Sequence, residues 1–138
     1  MNPTETDIAN RKPIWEALSK FYLDTELQEE DFKEICKTFH KSPYDLEEIM
    51  DIDRYEVFPV LQMNLLSVAG EWEGFDKDWL FSKCQKNYKK RTSRLFKFWY
   101  RANNRLWYWM KKDYWERVKK RNEKMHQYIK PFLHHFLW

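Results

Sequence analysis

The sequence predicts an all-α protein, a compact bundle of about five to eight helices with an acidic N-terminal half and a basic, aromatic C-terminal half. Apolar residues recur at spacings of three and four through most of the chain, which marks one buried face of a helix. Only two glycines occur in 138 residues, too few for the many tight turns of a β-sandwich. Hydrophobic residues make up 43% and include eight Trp, eight Tyr and ten Phe, enough to fill one core and exclude a disordered or collagen-like chain. A single domain over residues 1–138 is expected.

The polar N-terminus MNPTETDIANRKP lacks the apolar centre of a signal peptide, and no stretch approaches the roughly 20 apolar residues of a membrane span. With only two cysteines, Cys36 and Cys84, the expectation is a cytoplasmic protein with reduced thiols. Pro13 fits the first turn of a helix over about residues 12–23, whose apolar residues are Ile14, Trp15, Leu18, Phe21 and Tyr22. Trp15 and Leu18 should be buried against the next helix, which carries Ile35 and Phe39. Thr25 can cap that helix; Leu27, Phe32, Ile35, Cys36 and Phe39 form its stripe, Glu29, Glu30 and Asp31 sit near its positive end, and Ser42-Pro43 ends it. Asp45 can start a third helix through Leu46, Ile49 and Met50. Pro59 marks the first turn or a kink of a fourth segment with Val60, Leu61, Leu65 and Leu66.

Both glycines fall in the loop Gly70-Glu-Trp-Glu-Gly74, after which Asp76 can cap a helix containing Trp79, Leu80 and Cys84. From Phe75 to Lys130 there is neither Gly nor Pro. One helix of that length would reach about 84 Å, so a break is expected at Thr92-Ser93 or Asn103-Asn104, whose side chains compete for backbone hydrogen bonds. Pro131 precedes the apolar tail PFLHHFLW.

The net charge of +3 conceals a division. Residues 1–78 hold 19 acids against 8 bases, net −11, and residues 79–138 hold 17 bases against 3 acids, net +14. Either the halves attract each other or each attracts a partner. Between Lys86 and Lys124 basic residues alternate with rings, the combination a single-stranded nucleic-acid site needs. On a helix, Leu95, Trp99, Ala102, Leu106 and Met110 would face a core, leaving Lys97, Arg101, Arg105 and Lys112 nearer the solvent. A second set of rings, Trp107, Tyr108, Tyr114 and Trp115, would then meet the acidic helices, another copy or a partner. An anionic membrane would repel the acidic half, so membrane binding is not expected.

No catalytic constellation accompanies these features. Glu71, Glu73, Asp76 and Asp78 cluster near the glycine loop without a histidine, a lysine motif or a phosphate loop, and capping and solvation explain Asp76 and Asp78. Cys36 and His40 lie one turn apart and His134-His135 sit in the tail, but Cys36 belongs to an apolar stripe. No enzyme activity, metal or other cofactor is expected.

The runs RKPIWEALSKFYLDTEL (11–27), SPYDLEEI (42–49) and PVLQMNLLSVAGEWEGFDKDWL (59–80) resemble a family of small bacterial proteins known only as a domain of unknown function. The resemblance covers about residues 11–84 and is most specific in NLLSVAGEWEGFD. It implies a bacterial origin and a compact helical domain, and carries over no catalytic residue. The basic, aromatic region after about residue 85 departs from that pattern.

The resulting expectation is a non-catalytic protein-binding module, a bacterial immunity or antitoxin protein that occupies the active site of a toxin or effector. An acidic surface imitates phosphates before a basic cleft and steers association. Its carboxylates would be Glu26, Glu29, Glu30, Glu47, Glu48 and Asp51. The alternative is a nucleic-acid-binding protein using Arg101, Arg105, Trp107, Tyr108, Lys112, Tyr114 and Trp115.

Overall fold

A computed structural model describes residues 3–23, 26–64, 76–91 and 93–136. Among these the protein is all-α, with no strand. The expected cap Thr25, the apolar Leu65 and Leu66, and the glycine loop with Glu71 and Glu73 lie outside the described residues.

Helix α1 spans Pro3–Ser19 and ends in a single 3-10 turn, Lys20–Tyr22. It starts well before the expected position, and Pro13 lies in its interior on the exposed side. Tertiary contacts hold the turns ahead of the proline. The Tyr88 hydroxyl donates to Asp7 Oδ2 at 2.8 Å, and Arg11 Nη1 donates to the Tyr44 hydroxyl at 2.9 Å. These anchors offset the backbone hydrogen bond that Pro13 cannot donate.

Helix α2, Glu29–Lys41, begins at Gln28, whose backbone N–H donates to Asp31 Oδ2 at 2.8 Å. Its stripe of Phe32, Ile35, Cys36 and Phe39 is buried as the spacing requires, and it stops at Ser42. Helix α3, Leu46–Ile52, is closed by a reciprocal cap: Glu48 N–H donates to Asp45 Oδ1 at 2.8 Å and Asp45 N–H to Glu48 Oε1 at 3.3 Å. It runs without interruption through a wide π-turn, Asp53–Val57, into α4, Phe58–Asn64. The widening coincides with Pro59, which has no N–H to return to the preceding turn; the Phe58 N–H instead reaches the Asp53 carbonyl five residues back.

Helix α5, Lys77–Lys90, starts at Asp76, whose carboxylate accepts the Trp79 N–H at 2.8 Å. A turn at Arg91 and Ser93 separates it from α6, Arg94–Phe136. The break thus falls at the first of the two expected places, and the helix runs through Asn103 and Asn104. At 43 residues α6 is about 65 Å long.

The π-turn is the hub. It touches α1, α5 and α6, while α1 also packs on α2 and α5, and α6 on α2. Trp15 and Leu18 are fully buried. Trp15 meets the Phe81 ring of α5 at 6.2 Å, and Phe21, one turn beyond Leu18, meets Phe32 of α2 at 6.4 Å. No described helix is long and apolar enough to cross a membrane.

Candidate functional site

Two acids three residues apart, Asp53 and Glu56, sit in the π-turn and are fully buried. A buried carboxylate needs donors, and the fold delivers them from distant elements. Asp53 Oδ1 accepts the Tyr22 hydroxyl at 2.7 Å, and Oδ2 accepts the indole N–H groups of Trp107 and Trp115, each at 3.0 Å. Glu56 Oε1 accepts from Trp15 Nε1 at 2.9 Å and Arg11 Nε at 3.0 Å, and Oε2 accepts from Arg91 Nη1 at 2.8 Å. Asn87 Nδ2 donates to the Glu56 backbone carbonyl at 3.1 Å. Lys111, also buried, donates to the Phe21 carbonyl at 3.1 Å with its ammonium 3.8 Å from the centre of the Tyr22 ring.

Burial pushes the Asp53 carboxyl up, against the hydrogen bonds from Tyr22, Trp107 and Trp115. It also pushes Glu56 up, against the charges of Arg11 and Arg91. Burial holds Lys111 down to about 8, opposed by Asp53. These shifts are of the kind found at active sites. Here every carboxylate oxygen is occupied by the protein's own donors and none is exposed, so as folded the cluster offers a substrate no position. Its effect is to tie α1, α5 and α6 to one turn.

The carboxylates expected to face a partner fall into two groups, because residues 117–123 in the middle of α6 meet α2 through Arg117 and Arg121 and α3 through Lys119, Asn122 and Glu123. On one flank of α6, Arg117 Nη2 and Arg121 Nη2 donate to Glu29 at 2.7 and 2.8 Å, and these hydrogen bonds hold the Glu29 carboxyl below its usual range. Glu26 and Glu30 are exposed beside it. On the other flank a cleft of about 490 Å³ opens between α3 and α6. It brings Glu47 and Asp51 together with Glu123, and Leu46, Met50, Arg54, Lys119 and Asn122 complete its lining. Asp51 lies 3.5 Å from Arg54, and Glu48 is exposed but engaged in the cap of α3. The single continuous acidic surface expected from the sequence is therefore divided, and one of its members is neutralised from within.

The basic, aromatic set is also corrected. Trp107 and Trp115 are buried on Asp53, and Tyr114 stacks on Phe21 at 5.1 Å, so these rings belong to the core and not to a partner face. Of the stripe expected to face the core, Leu95, Ala102 and Leu106 are exposed and Met110 packs partly against the core, while the side chain of Trp99 lies outside the described residues. Tyr108, Arg101, Arg105 and Lys112 are exposed, the last 4.0 Å from Glu116.

Sequence reasoning missed Asp53, Glu56, Lys111, Arg11 and Arg91. One signal was available. Asp53 and Glu56 are flanked by Ile49, Ile52, Val57 and Phe58, so helical spacing places two acids among buried apolar residues. Cys36 is buried and His40 exposed, and no group of three or more His, Cys, Asp or Glu side chains is arranged to hold a metal among the described residues.

A family model described as a domain of unknown function, DUF7079, matches residues 9–121. The match runs past residue 85 through most of α6, so the basic, aromatic region is part of the family pattern and does not depart from it. No curated protein and no solved structure matches the chain.

Proposed function

The chain belongs to the DUF7079 family, and from its surface chemistry we propose that it is a non-catalytic protein-binding module, a bacterial immunity or antitoxin protein that blocks a toxin or effector. The observation that carries this reading is the α3–α6 cleft. There three carboxylates, Glu47, Asp51 and Glu123, share the lining with the apolar Leu46 and Met50 and with Asn122, Arg54 and Lys119. Carboxylates beside apolar side chains fit the basic side chains that line a phosphate-handling cleft: the stems of Arg or Lys pack on Leu46 and Met50 while their charges meet the acids. Among the described residues of the N-terminal half, exposed acids still outnumber exposed bases when Asp53, Glu56 and Glu29 are set aside. That field speeds encounter with a basic partner. The reading places the protein in the cytoplasm, where the free thiols of Cys36 and Cys84 stay reduced.

The test is charge reversal at Glu47, Asp51 and Glu123, each to Lys, sparing Glu48 because its carboxylate closes the cap of α3. A toxin-class partner captured from the host by the original protein should associate more slowly with the variant, and with less dependence on salt, while the circular dichroism of the two proteins is the same. Equal association rates would remove the cleft from recognition.

A further inference from the structure

We infer that the N-terminal half of α6 is a second binding surface, a basic, aromatic ladder that takes a single strand of nucleic acid. From residue 94 to residue 106 no described side chain of α6 is buried; Trp107 is the first. Along one side of this arm lie the cations Arg94, Arg101, Arg105 and Lys112. At about 100° per residue they fall within a sector of about 40°, about 100–140° round the helix from the side that carries Trp107, Lys111 and Val118 into the core. Arg94, Arg101 and Arg105 make no ion pair among the described residues. Three rings flank this row within about 60° of it, Phe98 and Trp109 on one side and Tyr108 on the other; Phe98 is 74% exposed, Trp109 75% and Tyr108 54%.

This arrangement matches what a single strand presents. Cations one or two turns apart along one side suit a row of phosphates, and exposed flat faces beside them suit unstacked bases. Bases inside a duplex are already stacked and cannot reach the rings. The span from Arg94 to Lys112 is about 27 Å, long enough for several nucleotides of an extended strand. The acidity of the other half bears on only the Lys112 end of such a strand. Glu29, Glu47 and Asp51 are held beside residues 117–123 of α6, at least about 18 Å along the helix from Arg94, Arg101 and Arg105, which is beyond two Debye lengths at physiological salt; Lys112, about 7.5 Å from Arg117, lies within one.

A second copy of the chain fits less well. The apolar positions Leu95, Phe98, Ala102, Leu106 and Trp109 read the same in both directions about Ala102, so two antiparallel copies could align them. That alignment sets the Arg101 and Arg105 flank of one copy against the same flank of the other, and like charges repel. A polyanion meets no such penalty.

The experiment is fluorescence anisotropy of labelled twelve-residue oligothymidylate and oligouridylate with the full chain. Both should bind, and their ratio reports any preference for one sugar. With four cationic contacts, affinity should fall about fifty-fold between about 50 and 200 mM salt. Trp109→Ala should weaken binding about tenfold through lost stacking, Arg101→Glu with Arg105→Glu should abolish it, and a duplex of equal length should bind less tightly than either strand. All three positions are exposed, so circular dichroism should be unchanged. The inference is overturned if Trp109→Ala and Phe98→Ala bind as the original does, or if heparin of equal charge binds as tightly as the oligonucleotides. It is equally overturned if the oligonucleotides are ignored while the chain self-associates through Leu95 and Trp109.

Discussion

Lys111 is the residue on which the energetic character of the interior is most directly measurable. Burial lowers it to about 8, while in the unfolded chain it keeps its proton to about 10.5. Between those values the unfolded state binds more protons, so Lys111 makes stability rise as pH climbs from about 8 toward 10.5. Lys111→Met removes that contribution. Denaturant unfolding at several pH values across the window should show the original protein gaining stability relative to the variant; parallel curves would mean that Lys111 is solvated. Asp53 has the opposite sense. Its carboxyl is raised by burial, so its ionisation costs stability as pH rises through the acidic range, and three donors limit that cost.

Helix α6 carries two apolar stripes, and only one is in the core. Leu95, Ala102 and Leu106 satisfy helical spacing as well as Trp107, Trp115 and Val118 do, so periodicity alone cannot choose between them. Hydrogen bonding chooses. Asp53 is buried on the surface that α6 covers, and its Oδ2 needs N–H donors that Leu and Phe do not have. Indoles supply them while filling the same volume. Trp115→Ala should therefore cost about 3–5 kcal/mol, for a lost large ring and a lost donor to a buried acid. Leu95→Ala, on the stripe that sequence alone favours, should stay within about 0.5 kcal/mol. Thermal or denaturant unfolding of the pair checks this, and equal losses would place the wrong face of α6 in the core.

Across the whole molecule, opposite charges orient the two halves and buried contacts hold them. The exposed pairs of Glu29 with Arg117 and Arg121 are open to screening, whereas Glu56 joins α1 to α5 from inside, through Arg11, Trp15 and Arg91. Raising salt to about 1 M should shift the melting temperature little. Glu56→Gln should cost about 3–5 kcal/mol, because it leaves two half-buried guanidinium groups without their carboxylate. A large salt effect with a small Glu56→Gln effect would reverse that ranking. The separation of charge also leaves two distinct exposed surfaces, the acidic cleft beside α3 and the basic ladder at the start of α6.

Much of the secondary structure is legible in the sequence because its signals are local. Asp45 and Asp76 cap the helices that follow them, the stripe of α2 repeats within thirteen residues, and the break before α6 falls at Ser93. All-α architecture follows from spacing and from the scarcity of glycine. The tertiary structure decides what depends on groups far apart in the chain. The start of α1 ahead of Pro13 rests on Tyr88 and Tyr44, the inward face of α6 on Asp53, and the division of the acidic surface on Arg117 and Arg121. A helical period records that a face will be buried, but which face, and against what, is fixed by where the other elements place their donors, acceptors and charges.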